Sequence, residues 1–360
     1  MHIALLSGGY PPDFDAIGQY TRELGHALTA LGHQVRVLTS GDREAQDGEI
    51  AVRGVFDPAH PETLRSLPQA LSEAEPVDWL VVQYNPFSFG PRGRAPALPE
   101  VLQNIRSRIR VAVMAHETFV PLWPIQCAIM RAWQRPQFFR VCRAAHRLFV
   151  STARWATEVA GVSGIPKPIL LPVGSNLPVA TLNREEARKK LEISADATVV
   201  ALFGNAHPSR LTGWAGAAAR ALPEAQVLYV GRDGAIFREA CAGVPFRDEG
   251  FLMDAEAALR LRAADCLLSP FTDGISARRG SALAALRQGT PVATTSRSWS
   301  DPIMLDNPLV FSCPVKAGAG AFCTAALRAK AAADQGLPHF DFDASPFAWP
   351  VKAKNMVAAL

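Results

Sequence analysis

His2-Ile3-Ala4-Leu5-Leu6-Ser7, then Gly8-Gly9-Tyr10-Pro11-Pro12, and after a helix-length interval Gln34-Val35-Arg36-Val37-Leu38-Thr39: on this stretch the fold turns. The first run is short and apolar, the pattern of a strand buried on both faces. The glycines and prolines break it. After Gly18, residues Leu24, Ala27, Leu28 and Leu31 recur at helical spacing and share one face. Gly32 ends that helix, and the second apolar run is a second strand. Strand, glycine loop, helix, strand is the opening of a parallel Rossmann-like sheet.

Outward from there the alternation continues. Residues 79–83 and 110–115 read as strands, the second running into His116-Glu117, and residues 147–151 and 169–172 complete a first sheet. Pro172-Val173-Gly174-Ser175-Asn176 interrupts the pattern, and a polar helix over 184–191 follows. A second cycle then starts. The strand 198–203 runs into Gly204-Asn205-Ala206-His207, the alanine-rich stretch 214–222 is a helix, and the strand 227–230 ends at Gly231-Arg232. A strand at 265–269, a helix at 281–288 and a strand at 291–295 follow, with helices over 317–333 and from 351 onward. The chain thus reads as α/β, with two Rossmann-like parallel-sheet domains facing across a cleft. Their expected limits are 1–180 and 181–345, and 346–360 form a C-terminal crossover helix returning to the first domain.

Bulk properties agree with that division. A chain of 360 residues is long for one core and suits two. With 49% hydrophobic and 19% charged residues it is globular rather than disordered. No apolar run approaches the ~20 residues that span a bilayer, and the start lacks the basic n-region and cleavage site of a signal peptide. Cys127, Cys142, Cys241, Cys266, Cys313 and Cys323 are scattered, without a CxxC pair or clustered histidines. That pattern is expected of buried thiols in a reducing cytoplasm, not of a zinc site or a disulfide framework. A net charge of +4 suits an anionic ligand or an anionic surface and does not choose between them. The basic residues form no long cluster and fit no nucleic-acid module, so nucleic acid is not an expected partner.

Several short motifs add a family likeness. Pro11-Pro12-Asp13-Phe14-Asp15-Ala16-Ile17-Gly18-Gln19-Tyr20, Gly32-His33-Gln34-Val35, His116-Glu117, the turn Pro172 to Asn176, Asp273-Gly274, Gly289-Thr290-Pro291-Val292 and Phe347-Ala348-Trp349 spread over nearly the whole chain. Together they resemble glycosyltransferase family 4, the group 1 glycosyltransferases of the GT-B fold. The likeness is incomplete in two places. Members of the family carry two glutamates, E-x7-E, ahead of the GTPV element, and here those positions hold Ser276 and Ala284. Asp273 replaces the first acid if the loop is a few residues longer. Of the family's Arg/Lys pair after the second domain's first strand, Arg210 is present with no lysine nearby.

Candidate site residues follow from position and chemistry. The loop 14–20 is expected at the C-terminal end of the first strand, where doubly wound sheets bind ligands. Gly18 there lets backbone amides approach an anion, or serves only the turn. His116 is the first catalytic candidate: a neutral imidazole can donate to a sugar hydroxyl, while Glu117, with Tyr20 on the acceptor side, can accept one, or cap a helix. The richest segment is 273–281. Asp273, the second catalytic candidate, can accept from sugar hydroxyls, and Arg278 and Arg279 can pair with a diphosphate bidentately. Gly280 and Ser281 open a helix whose amides add positive potential; Ser281 also makes an N-cap. The bland alternative is a solvated basic loop. Asn205, Arg210, Arg232 and Ser276 complete the donor-binding set, with Arg210 and Arg232 equally readable as surface arginines. Between Trp123 and Arg147 aromatic residues interleave with arginines, as in a helix lying on an anionic membrane or one packed on the core.

The resemblance implies glycosyl transfer from a nucleotide-diphosphate sugar to a glycan, lipid-linked or small-molecule acceptor, with retention. No DxD-like pair calls for a metal, and no cofactor beyond the nucleotide-sugar co-substrate is implied. The implied setting is the cytoplasm, with peripheral contact on the inner membrane face for a lipid-linked acceptor. Two other readings stay open: a nucleotide-sugar epimerase or coupling enzyme on the same fold, and a non-catalytic binding subunit, which alanine at position 284 favours.

Overall fold

Strands β1 (His2–Leu6), β2 (Gln34–Ser40), β3 (Glu44–Asp47), β4 (Ile50–Phe56), β5 (Trp79–Tyr84), β6 (Arg110–Ala115), β7 (Arg147–Val150) and β8 (Pro168–Leu170) form one sheet, ordered β3-β4-β2-β1-β5-β6-β7-β8. The structure, a computed structural model, describes residues 1–13, 15–73 and 75–360; Phe14, in the loop expected near a ligand, lies outside the described residues. All neighbours in this sheet are parallel except β3 and β4. From β1 the chain moves outward to β2 and β4, then returns to β1's other side with β5. The strand order therefore reverses between β1 and β5, and that switch point is where doubly wound sheets open a crevice.

Burial on both faces explains why these strands read as unbroken apolar runs. Ile3 and Leu5 pack with Tyr20, Leu24 and Leu28 of the helix Ala16–Ala30 and with Trp349, Ala353 and Met356 of the helix Trp349–Ala359. Ala4 and Leu6 face the other way, onto a cluster with Leu98 and Phe138. Leu24 and Leu28 are fully buried, and each contributes about 1.5–3 kcal/mol over an exposed position. The helix starts earlier than the spacing predicts: Asp15 caps it, accepting from the amides of Ile17 and Gly18, so Gly18 lies inside its first turn. A Cβ on Gly18 would stand 2.9 Å from the carbonyl of Gly9, so the glycine is what lets helix and loop touch.

A second sheet contains β9 (Thr198–Phe203), β10 (Ala225–Val230), β11 (Phe246–Asp248), β12 (Cys266–Ser269), β13 (Val292–Ser296) and β14 (Val310–Pro314), all parallel, ordered β11-β10-β9-β12-β13-β14. Its switch point lies between β9 and β12. The helices Thr212–Ala221 and Gly318–Gln335 cover one face through Ala215, Ala218, Phe322 and Ala326.

The chain divides into two units, one of Met1–Val173 with Ala348–Leu360 and one of Gly174–Phe347. The break expected at residue 180 therefore falls at Val173. Its cause is a polar clamp within the second unit. Gln288 donates to the carbonyl of Pro178 and accepts from the amide of Ala180, both at 2.8 Å, and Arg287 donates to the carbonyl of Ser175. The C-terminal helix belongs to the first unit, where it packs on Ala16–Ala30.

Candidate functional site

In the second unit the chain ends of β9 and β12 are stitched together across the switch point. Arg210 and Phe271 form an isolated antiparallel bridge, and the amide of Thr272 donates to the carbonyl of Ser209 at 2.8 Å. This backbone frame fixes Arg210. Its Nη2 donates to the carbonyl of Phe203 at 2.6 Å and to Ser281 Oγ at 3.1 Å, tying the end of β9 to the helix Gly280–Arg287. Ser281 is thus the second residue of that helix and not its cap. Arg279 holds the N-cap position, and no side chain caps this helix start.

Arg279 approaches from the other side. Its guanidinium lies over the Phe271 ring at 4.0 Å from the centroid, while that of Arg210 stands 5.4 Å from the same centroid. Arg279 also donates to Ser209 Oγ at 3.3 Å and pairs with Asp273. Arg278 reaches the other oxygen of Asp273 at 3.6 Å. Burial, and after it the neighbouring positive charge of Arg279, push the Arg210 guanidinium down to about 10. Two arginines repelling each other around one ring form a concentrated positive spot, only partly offset by Asp273.

The loop carrying Asp273 is held by Gly274, which has φ +79°; a Cβ there would stand 2.3 Å from Ser300 Oγ and 2.7 Å from the amide of Arg297. Ser276 is buried, and its hydroxyl has no partner among the described residues. Asn205 sits at the end of β9, where its Oδ1 accepts from the amide of Arg232 at 3.4 Å; the Arg232 guanidinium covers the exposed ring of Phe251 at 4.6 Å.

The first unit brings together the acceptor-side candidates at the C-terminal ends of β1, β5 and β6. His116 is 7% exposed, and its Nε2 lies 2.9 Å from Gln83 Oε1, so the ring donates and its other nitrogen carries the lone pair. Tyr20 meets the imidazole edge-on at 4.5 Å between centroids. Burial, helped by the nearby charge of Lys352, lowers the imidazole to about 3, so His116 is neutral at physiological pH. Glu117, next in sequence, is half-buried. Gly18 behaves differently from its expected role. Its amide already donates to Asp15 at 2.8 Å, so a carboxylate of the chain itself occupies the place proposed for an anion.

Residues 17–172 match the family model described as Glycosyltransferase Family 4. Over that stretch the chain is similar to family 4 glycosyltransferases. Over its length the fold is similar to that of several solved glycosyltransferases. Sucrose-phosphate synthase from Thermosynechococcus elongatus is 19% identical, with a TM-score of 0.69 over 99% of this chain and 98% of that one. WaaG, a glycosyltransferase involved in lipopolysaccharide biosynthesis, is 17% identical, with a TM-score of 0.64 over 99% and 100%. Anabaena HepE, solved in complex with UDP-glucose, is 15% identical, with a TM-score of 0.63 over 100% of both chains. At these identities the likeness shows the fold, which is GT-B. No curated protein matches the chain in sequence.

The structure brings to these sites residues that the sequence pattern does not single out. Phe271 carries both arginines, and Ser209 receives one of them; the signal available was their place two residues after β12 and immediately before Arg210. Gln83 fixes the imidazole of His116, and this buried glutamine was visible as the one polar side chain between Trp79 and Tyr84 in the apolar strand β5. The stretch from Trp123 splits between its two readings. The helix Ile125–Ala144 buries Phe138 and Phe139 toward its end, whereas Leu122, Trp123, Ile125 and Ile129, at and before its start, are 58–80% exposed. No helix among the described residues is long and apolar enough to cross a membrane.

Proposed function

We propose that this protein transfers a sugar from a nucleoside-diphosphate sugar to an acceptor, with the diphosphate held in the second unit by Arg210, Arg278, Arg279 and the uncapped start of the helix Gly280–Arg287. The observation that carries this reading is the pair of guanidinium groups gathered on Phe271 at a switch point. Departure of a nucleoside diphosphate builds negative charge, and preorganised cations and helix amides stabilise it most where water is excluded. Positive side chains in this arrangement take the electrostatic part that a metal plays elsewhere. Asn205 and Arg232, joined at the ends of β9 and β10, are suited to the nucleoside, and Ser276 offers a hydroxyl beside the phosphates. The HepE structure holds UDP-glucose and that of starch synthase IV from Arabidopsis thaliana holds ADP, which favours the same ligand class here.

In this reading Asp273 accepts a sugar hydroxyl once Arg279 turns to the phosphates. His116, neutral and oriented by Gln83, offers a hydrogen bond and not a charge to the reacting sugar or acceptor, with Tyr20 packed behind it and Glu117 beside it. Gly18 keeps the neighbouring loop close. Retention is carried over from the family. The exposed Leu122, Trp123, Ile125 and Ile129 with nearby arginines suit an anionic membrane surface, which favours a lipid-linked acceptor on the cytoplasmic face.

The test is the double variant Arg278→Ala, Arg279→Ala. Each charged hydrogen bond to phosphate contributes about 1.5–3 kcal/mol, so losing both arginines should lower nucleoside-diphosphate affinity roughly 100- to 10,000-fold with the fold intact. Unchanged affinity would remove the phosphate role. A non-catalytic binder is the second reading, favoured by the engagement of Asp273 with both arginines and by the buried Ala284 where a glutamate is expected. Nucleotide-sugar binding with no turnover against any acceptor would support it, and donor conversion without acceptor would point to an epimerase.

A further inference from the structure

Lys352 has no surface. It lies in the helix Trp349–Ala359, is 0% exposed, and its Nζ has no hydrogen-bond partner among the described residues. The amine stands 5.7 Å from the centroid of Tyr20 and 5.6 Å from that of Trp349, and these two rings meet edge-on at 5.0 Å. Tyr20 in turn abuts His116, and His116 is bonded to Gln83. The ionisable groups around the amine are Tyr20 from the helix Ala16–Ala30, over whose ring it lies, and His116 from the end of β6, which abuts that ring and feels the amine's charge. No carboxylate pairs with it among the described residues. Other polar atoms of this layer are also buried without partners: Gln83 Nε2, Tyr20 Oη and Ser7 Oγ.

A buried cation is costly where no counter-ion among the described residues offsets its lost hydration. Burial alone pulls the amine down to about 7. Neutral, it packs as an apolar stem with a weak polar tip between two aromatic rings. Charged, it opposes protonation of the nearby His116 imidazole and demands solvation, which movement of Tyr20, His116 or its own helix can supply.

We propose that Lys352 is a positioning residue for the acceptor side: its uncharged amine, wedged against Tyr20 and Trp349, holds the imidazole of His116 in place, and protonation of the amine disturbs that arrangement. The proposal rests on the reading of His116 as an acceptor-side group. It goes further in tying that side to a helix from the far end of the chain and in giving it a proton-dependent state near neutrality.

In the unfolded chain a lysine titrates near 10.4, so a lowered folded value means that the folded protein binds fewer protons between about 7 and 10. Folding stability from this group therefore rises with pH across that window and is lowest below it. The experiment is a pH titration, from 5.5 to 10.5, of the full chain labelled at lysine Cε and at the histidine rings, followed by NMR. One lysine should titrate near 7 and be absent in Lys352→Met. The His116 ring signal should shift at that same midpoint, although the imidazole itself stays neutral, and in Lys352→Met this step should vanish while the ring signal persists. A Lys352 signal titrating near 10, or a His116 signal with no step at the lysine midpoint, would overturn the proposal. The wild-type titration decides the matter even if the variant fails to fold. Neither outcome depends on donor binding, so failure of the glycosyl-transfer reading would show separately.

Discussion

His116 illustrates how placement, not residue type, sets chemistry at the scale of one side chain. A free histidine would switch charge near pH 6.5; here burial lowers the imidazole to about 3, and Gln83 orients it. A folded value below the unfolded one means stability is present above about 6.5 and is lost as pH falls toward 3. We therefore expect the wild type to lose stability relative to His116→Gln on acidification, by about 3 kcal/mol at pH 4. Thermal unfolding of both proteins from pH 7 to pH 4 measures it, and parallel curves would refute the assignment. Of the single residues, Arg210 was legible from the sequence as a cation after a strand and Arg279 as one in the turn before a helix start. Their shared ring, Phe271, was not, because contact across β9 and β12 is a property of the sheet order. Lys352 had a fainter signal: Trp349, Lys352, Ala353 and Met356 recur at helical spacing, which turns the lysine inward with its apolar neighbours.

At the scale of elements, the loop from Asp273 to Arg279 depends on Gly274. With φ +79° and no room for a Cβ beside Ser300 and Arg297, Gly274→Ala should cost about 1–3 kcal/mol and displace Asp273 and Arg279 together. A fall in thermal stability accompanied by weaker nucleoside-diphosphate binding is the expected result; an unaffected protein would mean the loop is less constrained than its geometry indicates. The buried parallel strands were readable because both faces are apolar. The hairpin β3–β4 was not: Glu44–Asp47 is an exposed antiparallel edge without alternation, and Ile50–Phe56 carries Arg53 and Gly54 in its middle. The three-residue β11, with Arg247 and Asp248 exposed, likewise offers no periodicity. The cap at Asp15 moved the first helix forward and took the amide of Gly18 that the sequence left available.

For the molecule as a whole, two doubly wound units were legible from the repeated strand, loop and helix order, and each has its switch point where the candidate residues gather. The limit between units was less so, because Gln288 and Arg287 draw the segment Ser175–Ala180 into the second unit through bonds between residues over a hundred positions apart. Composition could not foresee such pairing. In the proposed function the arginine pair on Phe271 receives a nucleoside diphosphate. Calorimetric titration of the full chain with UDP, GDP and ADP, and with their glucose conjugates, without added metal, tests it most directly. Saturable binding that selects one base is expected; a folded protein that binds none of them would rule out a diphosphate site at these arginines.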